Sequence, residues 1–252
     1  MSETPGKAAD NKNEGHRKRL REKFTKSGLA GFHDYEIVEL LLTLGQPRRD
    51  CKNQAKEAIK CFKGLCGVLE ASSAELEAIP GIGPANSFGI RLVREVSGQY
   101  LKEKILDKPY YNSTQAVFDY LYQSMRGLKK EVFRVLYLDS QNKLLETEDL
   151  FCGTVNASAV FAREVMAAAI KHHATALICV HNHPSGSTVP SQDDKAITRE
   201  LILASSVMQL KVLDHLIIGD NRYFSFAAQG LIQRYEAEVA GMKARTVSES
   251  GA

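Results

Sequence analysis

The sequence predicts a two-domain protein of α+β or α/β class, with an all-helical N-terminal domain and a C-terminal α-β sandwich built on a mixed sheet. Three observations predict it. The first hundred residues carry apolar positions at three-to-four spacing and few strand formers. The segment KEKILDKPYYNS is charged and broken by Pro109, as interdomain linkers are. Beyond it, stretches rich in β-formers alternate with helical patterns.

The N-terminal half is predicted to be helical. GHRKRLREKF and DYEIVELLLTLG read as amphipathic helices, the second ended by Gly45 and Pro47, and a third helix covers residues 50–62. Two further helical patterns meet at Pro80-Gly81-Ile82-Gly83. The expected organisation is a disordered tail at 1–14, a helical domain at 15–101 and a linker at 102–112.

The second domain is expected over residues 113–235, followed by the end of a C-terminal helix and a disordered tail at 236–252. Alternation and apolar runs predict its strands, which are 131–139, 143–151, 175–183, 212–219 and 222–226. Helical periodicity predicts three helices, at about 114–125, 159–173 and 194–210.

Composition narrows the class of protein. The 252 residues are 44% hydrophobic and 25% charged, which is typical of a globular chain. Five cysteines without a CxxC pair argue against a disulfide framework or a zinc ribbon. No run approaches the roughly 18 apolar residues of a membrane helix, and the polar N-terminus lacks the apolar core of a signal peptide. We therefore expect a cytoplasmic protein without a membrane partner.

The stretch VHNHPSGSTVPSQDD, residues 180–194, carries the most informative pattern. If the preceding TALICV is a strand, its period of two places His181 and His183 on one side and Asn182 on the other. The proline and glycine that follow end the strand, and Pro190 marks the start of a helix. Two imidazoles are therefore predicted to point at one spot.

A carboxylate in the first turn of that helix completes a three-ligand site. Asp194 is one candidate and Asp193 the other. Two histidines and one carboxylate suit zinc, with a fourth position for a water whose pKa the metal lowers to about 7. Each part also has a structural interpretation, because an isolated HxH is often incidental and Ser191 with Asp194 forms a capping-box pattern. Their combination favours a metal site.

These residues resemble a known family. HNHPSG followed by PSxxD is similar to the motif of the JAMM (JAB/MPN) zinc metalloproteases, and the chain over about 16–232 resembles the RadC family, or UPF0758 group. Other matching stretches are GHRKRLREKF, DYEIVELLL, PRRD, IPGIG, EVFRVLYLDSQNKLL, FCGTVN, REV and LDHLIIG. The resemblance implies a cytidine-deaminase-like α-β sandwich. It also implies one zinc ion held by His181, His183 and Asp194. The chain departs from the family at Ser187, often Asp, and at Ala162, which replaces the Pro of Pro-Arg-Glu.

The resemblance also implies catalytic roles. JAMM proteins use a Glu at the start of the domain's first strand as general base, a place that Glu131 matches, with Glu148 on the partner strand as the alternative. Ser191 resembles the serine that hydrogen-bonds the developing oxyanion, although a helix cap would use the same hydroxyl. His215 lies in a predicted buried strand, where a hydrogen-bonded core histidine is more typical than a ligand.

The helical domain carries a second motif. Residues 76–94 resemble a helix-hairpin-helix, in which backbone amides at Gly81 and Gly83 would hold a DNA phosphate without reading sequence. A tight interhelical turn is the structural alternative. Asn86 stands in a segment where many DNA-binding versions offer Lys or Arg. Eight basic and four acidic residues lie among the first thirty. The basic helix Arg17 to Lys26 within them could add weak, non-specific phosphate contacts, with a solvated helix face as the structural alternative.

The function expected from the sequence is that of a JAMM-type zinc metalloprotease or isopeptidase acting on a peptide or protein substrate. The alternative is a DNA-associated accessory protein, linked to DNA repair, whose zinc domain is a structural or binding module. Nucleobase deamination is disfavoured because HxE and PCxxC are both absent. The sequence carries no indication of oligomeric state.

Overall fold

The computed structural model describes residues 7–46, 50–106, 108–110, 114–153, 162–220 and 222–250. The chain divides into two compact units, Met1–Gln99 and Tyr100–Ala252. Several predicted features lie wholly or partly outside the described residues: the outer parts of both tails, the last two linker positions, the first turn of the helix predicted from 159, and parts of the PRRD and FCGTVN stretches.

The first unit is helical, as predicted. Its helices are α1 (Lys7–Ser27), α2 (Asp34–Gly45), α3 (Lys52–Phe62), α4 (Leu65–Glu70), α5 (Ser73–Glu77) and the greater part of α6 (Pro84–Ile105). The apolar faces of α2 to α6 share one core, which includes Val38, Leu42, Ala55, Val68, Leu76 and Ile90. The three-to-four periodicity of the sequence is therefore satisfied by burial in this unit.

Three predicted boundaries are wrong. The tail expected at 1–14 is helical from Lys7, and residues 7–14 contain no glycine or proline that would interrupt a helix. The linker expected at 102–112 is still α6 as far as Ile105, whose side chain is only 2% exposed. The tail expected within 236–252 continues α10 (Leu231–Ser250). In all three places a polar or charged sequence led to the prediction of a helix that is too short, and the helix in fact continues there.

The second unit contains a five-stranded mixed sheet. Its strands are β1 (Glu131–Leu138), β2 (Leu144–Gly153), β3 (Ala176–Asn182), β4 (Lys211–Ile218) and β5 (Tyr223–Ser225). The order is β2-β1-β3-β4-β5, with β3 and β4 parallel and the other neighbours antiparallel. The helices are α7 (Thr114–Met125), α8 (Ala162–Lys171), α9 (Gln192–Val207) and α10. Since β3 and β4 are parallel, α9 is the crossover between them.

Each face of the sheet is covered by a core. Phe133, Val135 and Tyr137 of β1 pack on one side with residues of α8, α9 and α10. Val132 and Leu136 pack on the other side with α7 and the last turn of α6. This strict alternation assigns a face to every residue of β1 and β3. Among the helices of the described residues, none is long and apolar enough to cross a membrane.

Candidate metal centre

Three side chains converge where β3 ends and α9 begins. His181 Nε2 lies 2.9 Å from His183 Nε2 and 3.2 Å from Asp194 Oδ1, and His183 Nε2 lies 3.7 Å from Asp194 Oδ2. One nitrogen or oxygen atom from each residue falls within 4.8 Å of the others. His181 is 5% exposed, and the other two side chains are half-buried. The sequence-predicted trio is thus brought together as a group that could hold one metal ion.

The loop after β3 orients His183. The His183 amide continues the parallel ladder by donating to Ile218 O at 2.9 Å, and Gly186, at φ 78°, turns the chain back. The ring Nδ1 lies 2.8 Å from Ser187 O. A carbonyl oxygen only accepts, so Nδ1 carries the hydrogen and Nε2 presents a lone pair to the site. Because the backbone of Ser187 makes this contact, the family departure at its side chain does not disturb the ligand.

A chain of buried hydrogen bonds orients His181. The Thr198 hydroxyl donates to Asp194 O and lies 2.7 Å from His215 Nδ1, while His215 Nε2 lies 3.0 Å from His181 Nδ1. Because the Thr198 hydroxyl gives its hydrogen to a carbonyl oxygen, it can only accept from His215, so His215 Nδ1–H donates to Thr198. The Nε2 atom of neutral His215 is then an acceptor, so His181 Nδ1–H donates to it. In its neutral form, His181 therefore also presents a lone pair at Nε2. Since both Nδ1 atoms are engaged away from the site, the two Nε2 atoms are the ones available to a metal, and the donor set fits a zinc ion.

His215 is the core histidine that the sequence indicated, with a contact that the sequence did not reveal. It is fully buried, stacks on Phe226 with ring centroids 4.9 Å apart and meets the edge of Phe133 at 5.7 Å. Burial, followed by the neighbouring His181, holds the pKa of His215 well below its usual range, so the ring is neutral. Thr198 was missed altogether, although its place four residues after Asp194 puts it on the same helix face.

Asp194 is both a helix cap partner and a member of the site. Its Oδ2 accepts from Ser191 N at 2.6 Å, and Ser191 Oγ accepts from Asp194 N at 3.0 Å, which is the predicted capping box. Oδ1 faces His181. Burial alone would raise the pKa of Asp194, but the hydrogen bond and charge of His181 in its protonated form, together with the two Ser191 contacts, hold it well below its usual range. The alternative ligand, Asp193, is exposed and lies outside the converging group.

Ser191 caps α9, and this does not compete with the expected oxyanion contact. The cap uses the Ser191 oxygen as an acceptor. A hydroxyl has one donor hydrogen in addition to its acceptor lone pairs. The same side chain can therefore cap the helix and donate a hydrogen bond to a substrate oxygen.

The two glutamates proposed as general base differ in their surroundings. Glu131 is the first residue of β1, half-buried, and shares a face with Phe133, whose ring stacks on His181 at 6.3 Å. Glu148 accepts from Lys171 Nζ at 2.8 Å and pairs with His172 Nε2 at 2.7 Å. These two contacts lower the pKa of Glu148 and tie its carboxylate to the end of α8. Glu131 thus lies on the face of the sheet that carries His181, whereas the Glu148 carboxylate is bound at the end of α8.

The turn that resembles a helix-hairpin-helix joins α5 to α6. The Gly83 amide donates to Asn86 Oδ1 at 2.6 Å, and Asn86 Nδ2 donates to Gly81 O at 3.0 Å. Asn86 is fully buried. One of the two amides expected to hold a phosphate is thus already bonded within the turn, which favours the structural interpretation of this motif.

The site and the fold around it define a class of protein. A mixed sheet flanked by helices, with two histidines after a central strand and an aspartate at the start of the crossover helix, is the arrangement of a JAB-type domain. In agreement, residues 111–231 match the RadC-like JAB domain and residues 12–88 match the UPF0758 N-terminal family.

A known protein is similar over most of the chain. It is a UPF0758 protein of Pseudoalteromonas translucida, 42% identical over 214 residues, which cover 85% of this chain and 96% of that protein. The chain belongs to the RadC family of UPF0758 proteins. The family expected from the sequence is thereby confirmed.

Proposed function

We propose that the second unit is a zinc-dependent hydrolase that cleaves an amide bond of a peptide or protein, with His181, His183 and Asp194 as the metal ligands. The observation that carries the proposal is the convergence of the two histidine Nε2 atoms with an Asp194 oxygen, while each Nδ1 atom is engaged away from the site. When bound, zinc would polarise the substrate carbonyl and acidify a water. A helix cap or an incidental histidine pair has no need of that arrangement.

The remaining chemistry falls to residues around the ligands. Glu131 accepts a proton from the attacking water and delivers it to the nitrogen of the leaving amine, so one C–N bond breaks as one C–O bond forms. Ser191 donates its hydroxyl hydrogen to the carbonyl oxygen as negative charge develops there. The low pKa of Asp194 keeps its carboxylate charged, as a ligand must be.

Metal content is the first test. Wild type, Asp194→Ala and Asp193→Ala should be dialysed against metal-free buffer and compared by elemental analysis. We expect about one zinc per chain in wild type and in the Asp193→Ala control, and none in Asp194→Ala. Zinc retained by Asp194→Ala would remove that residue from the ligand set. A wild type that stays empty after zinc is added back would overturn the metal assignment.

Turnover is the second test. A library of amide-linked peptides should be screened with zinc-loaded wild type, and any cleaved peptide used to compare Glu131→Gln with Glu148→Gln. We expect Glu131→Gln to keep its zinc and to lose about 100- to 10,000-fold in turnover, because only the proton acceptor is removed. Glu148→Gln should retain activity, since its carboxylate is tied to α8. The reverse pattern would exchange the roles of the two residues.

A further inference from the structure

Asn182 lies between the two histidines and points to the opposite face of β3, where it is 2% exposed. Its Oδ1 accepts from Val132 N at 2.9 Å, and its Nδ2 donates to Lys130 O at 3.1 Å and Leu128 O at 3.3 Å. All three contacts reach the backbone that enters β1. Two of these contacts flank Glu131, because one is to the carbonyl oxygen of Lys130 and the other is to the amide of Val132.

The register of the sheet makes these contacts important. Pairing between β1 and β3 runs from Phe133, opposite His181, to Leu138, so Glu131 precedes the ladder. On this side of β1, the Asn182 side chain takes the place of a strand neighbour for the backbone around Glu131. The Glu131 side chain shares the face of Phe133, which stacks on His181, and so it lies on the ligand side of the sheet.

We propose that Asn182 is a positioning residue that sets the place of Glu131 relative to the metal ligands, a role that rests on the proposed function. The residue between the two histidines thus links the ligand strand to the strand that carries the base. Its neighbours His181 and His183 face the ion, and Asn182 reaches around the strand to hold the backbone on both sides of Glu131. A displacement of about 1 Å at a reacting group can cost about 100-fold in rate.

Turnover gives one test, as a double-mutant cycle of Asn182→Ala and Glu131→Gln. We expect Asn182→Ala to bind zinc within about threefold of wild type, with a kcat about 100-fold lower and KM little changed. If Asn182 acts through Glu131, adding Asn182→Ala to Glu131→Gln should produce no further loss. A full additional loss in that background, or an unaltered kcat in Asn182→Ala, would overturn the inference.

A second test does not depend on turnover. It can therefore support or refute the role of Asn182 whether or not the protein proves to be a hydrolase. In cobalt-loaded protein, pseudocontact shifts report where each backbone amide lies relative to the metal. Asn182→Ala should alter these shifts at residues 130–132 and speed hydrogen exchange of the Val132 amide, while amides at 134–138 keep theirs. Unchanged shifts at 130–132 would refute the role.

A milder variant controls for a folding defect in Asn182→Ala. Asn182→Ser should show the same pattern with a smaller amplitude, because one hydroxyl can replace at most part of the three contacts. Asn86→Ala removes another buried asparagine that binds only the turn between α5 and α6. It should leave kcat and the cobalt shifts unaltered. If Asn86→Ala moves them equally, the effect of Asn182 is a general loss of stability.

Discussion

Replacing Thr198 by Val tests how the buried hydrogen-bond chain prepares the metal centre. Valine has nearly the shape of threonine, and the side chain is only 1% exposed, so the change removes one hydroxyl without opening a cavity. His215 Nδ1 loses the partner it has at 2.7 Å. The ring is fully buried, so water cannot replace that partner.

The expected magnitude follows from the two ways in which His215 can respond. If Nδ1 keeps its hydrogen, a buried donor is left unsatisfied, which costs about 1–3 kcal/mol. If the hydrogen moves to Nε2, His181 must accept at Nδ1 and carry its own hydrogen on Nε2, the atom that faces the ion. Metal binding then requires that hydrogen to leave. Zinc affinity should fall by about 10- to 100-fold, as for other changes behind a metal ligand.

The assay is competition for zinc against a chelator of known affinity, with thermal unfolding of the metal-free protein alongside. Thr198→Ser keeps the hydroxyl and is the matched control, expected to bind zinc within about threefold of wild type. If Thr198→Val binds zinc as tightly as Thr198→Ser, the buried chain does not set the tautomer of His181, and the argument fails at that step.

Three other predictions concern packing and titration. A Cβ on Gly219 would lie 2.4 Å from Gly186 O. Gly219→Ala should therefore destabilise the fold by about 1–3 kcal/mol and weaken zinc binding, because Gly186 belongs to the loop that orients His183. An unaltered melting temperature would contradict this. Burial raises the pKa of Glu39. The contribution of Glu39 to the free energy of unfolding is therefore full below its ordinary pKa and is lost as the pH rises through the raised pKa. Glu39→Gln should therefore gain melting temperature over wild type at pH 7 but not at pH 4. Burial raises the pKa of Cys179 to about 12, so an alkylating reagent at pH 8 should label exposed Cys61 and reach Cys179 only after unfolding.

Sequence periodicity was sufficient to predict most of the strands and helices of the second unit. The period of two in TALICVHNH placed His181 and His183 together and Asn182 on the opposite face, as the structure has them. This worked because a strand that is buried on both faces leaves no freedom in which way each side chain points. Glu131, by contrast, was assigned from the family resemblance and not from this periodicity.

Contacts between strands and helices far apart in the chain could not be predicted in this way. His215 and His181 are 34 residues apart, and no periodicity links them. Their contact depends on the parallel register of β3 and β4, which places Cys179 opposite His215. The ends of α1, α6 and α10 were also missed, because charged surface sequence is compatible with both a helix and a tail.

Several residues carried two interpretations in the sequence, and the structure assigns these to different atoms of the same residue. Asp194 accepts the cap hydrogen bond with Oδ2 and turns Oδ1 toward His181. Ser191 caps with its oxygen as the acceptor, and the hydrogen bond proposed from its hydroxyl to a substrate oxygen is compatible with that cap. A cap and a ligand are compatible here because the first turn of α9 supplies both the amides that need an acceptor and the rigidity that a ligand needs. The start of α9 and the metal centre are therefore one unit, and a change that loosens the cap should also weaken the site.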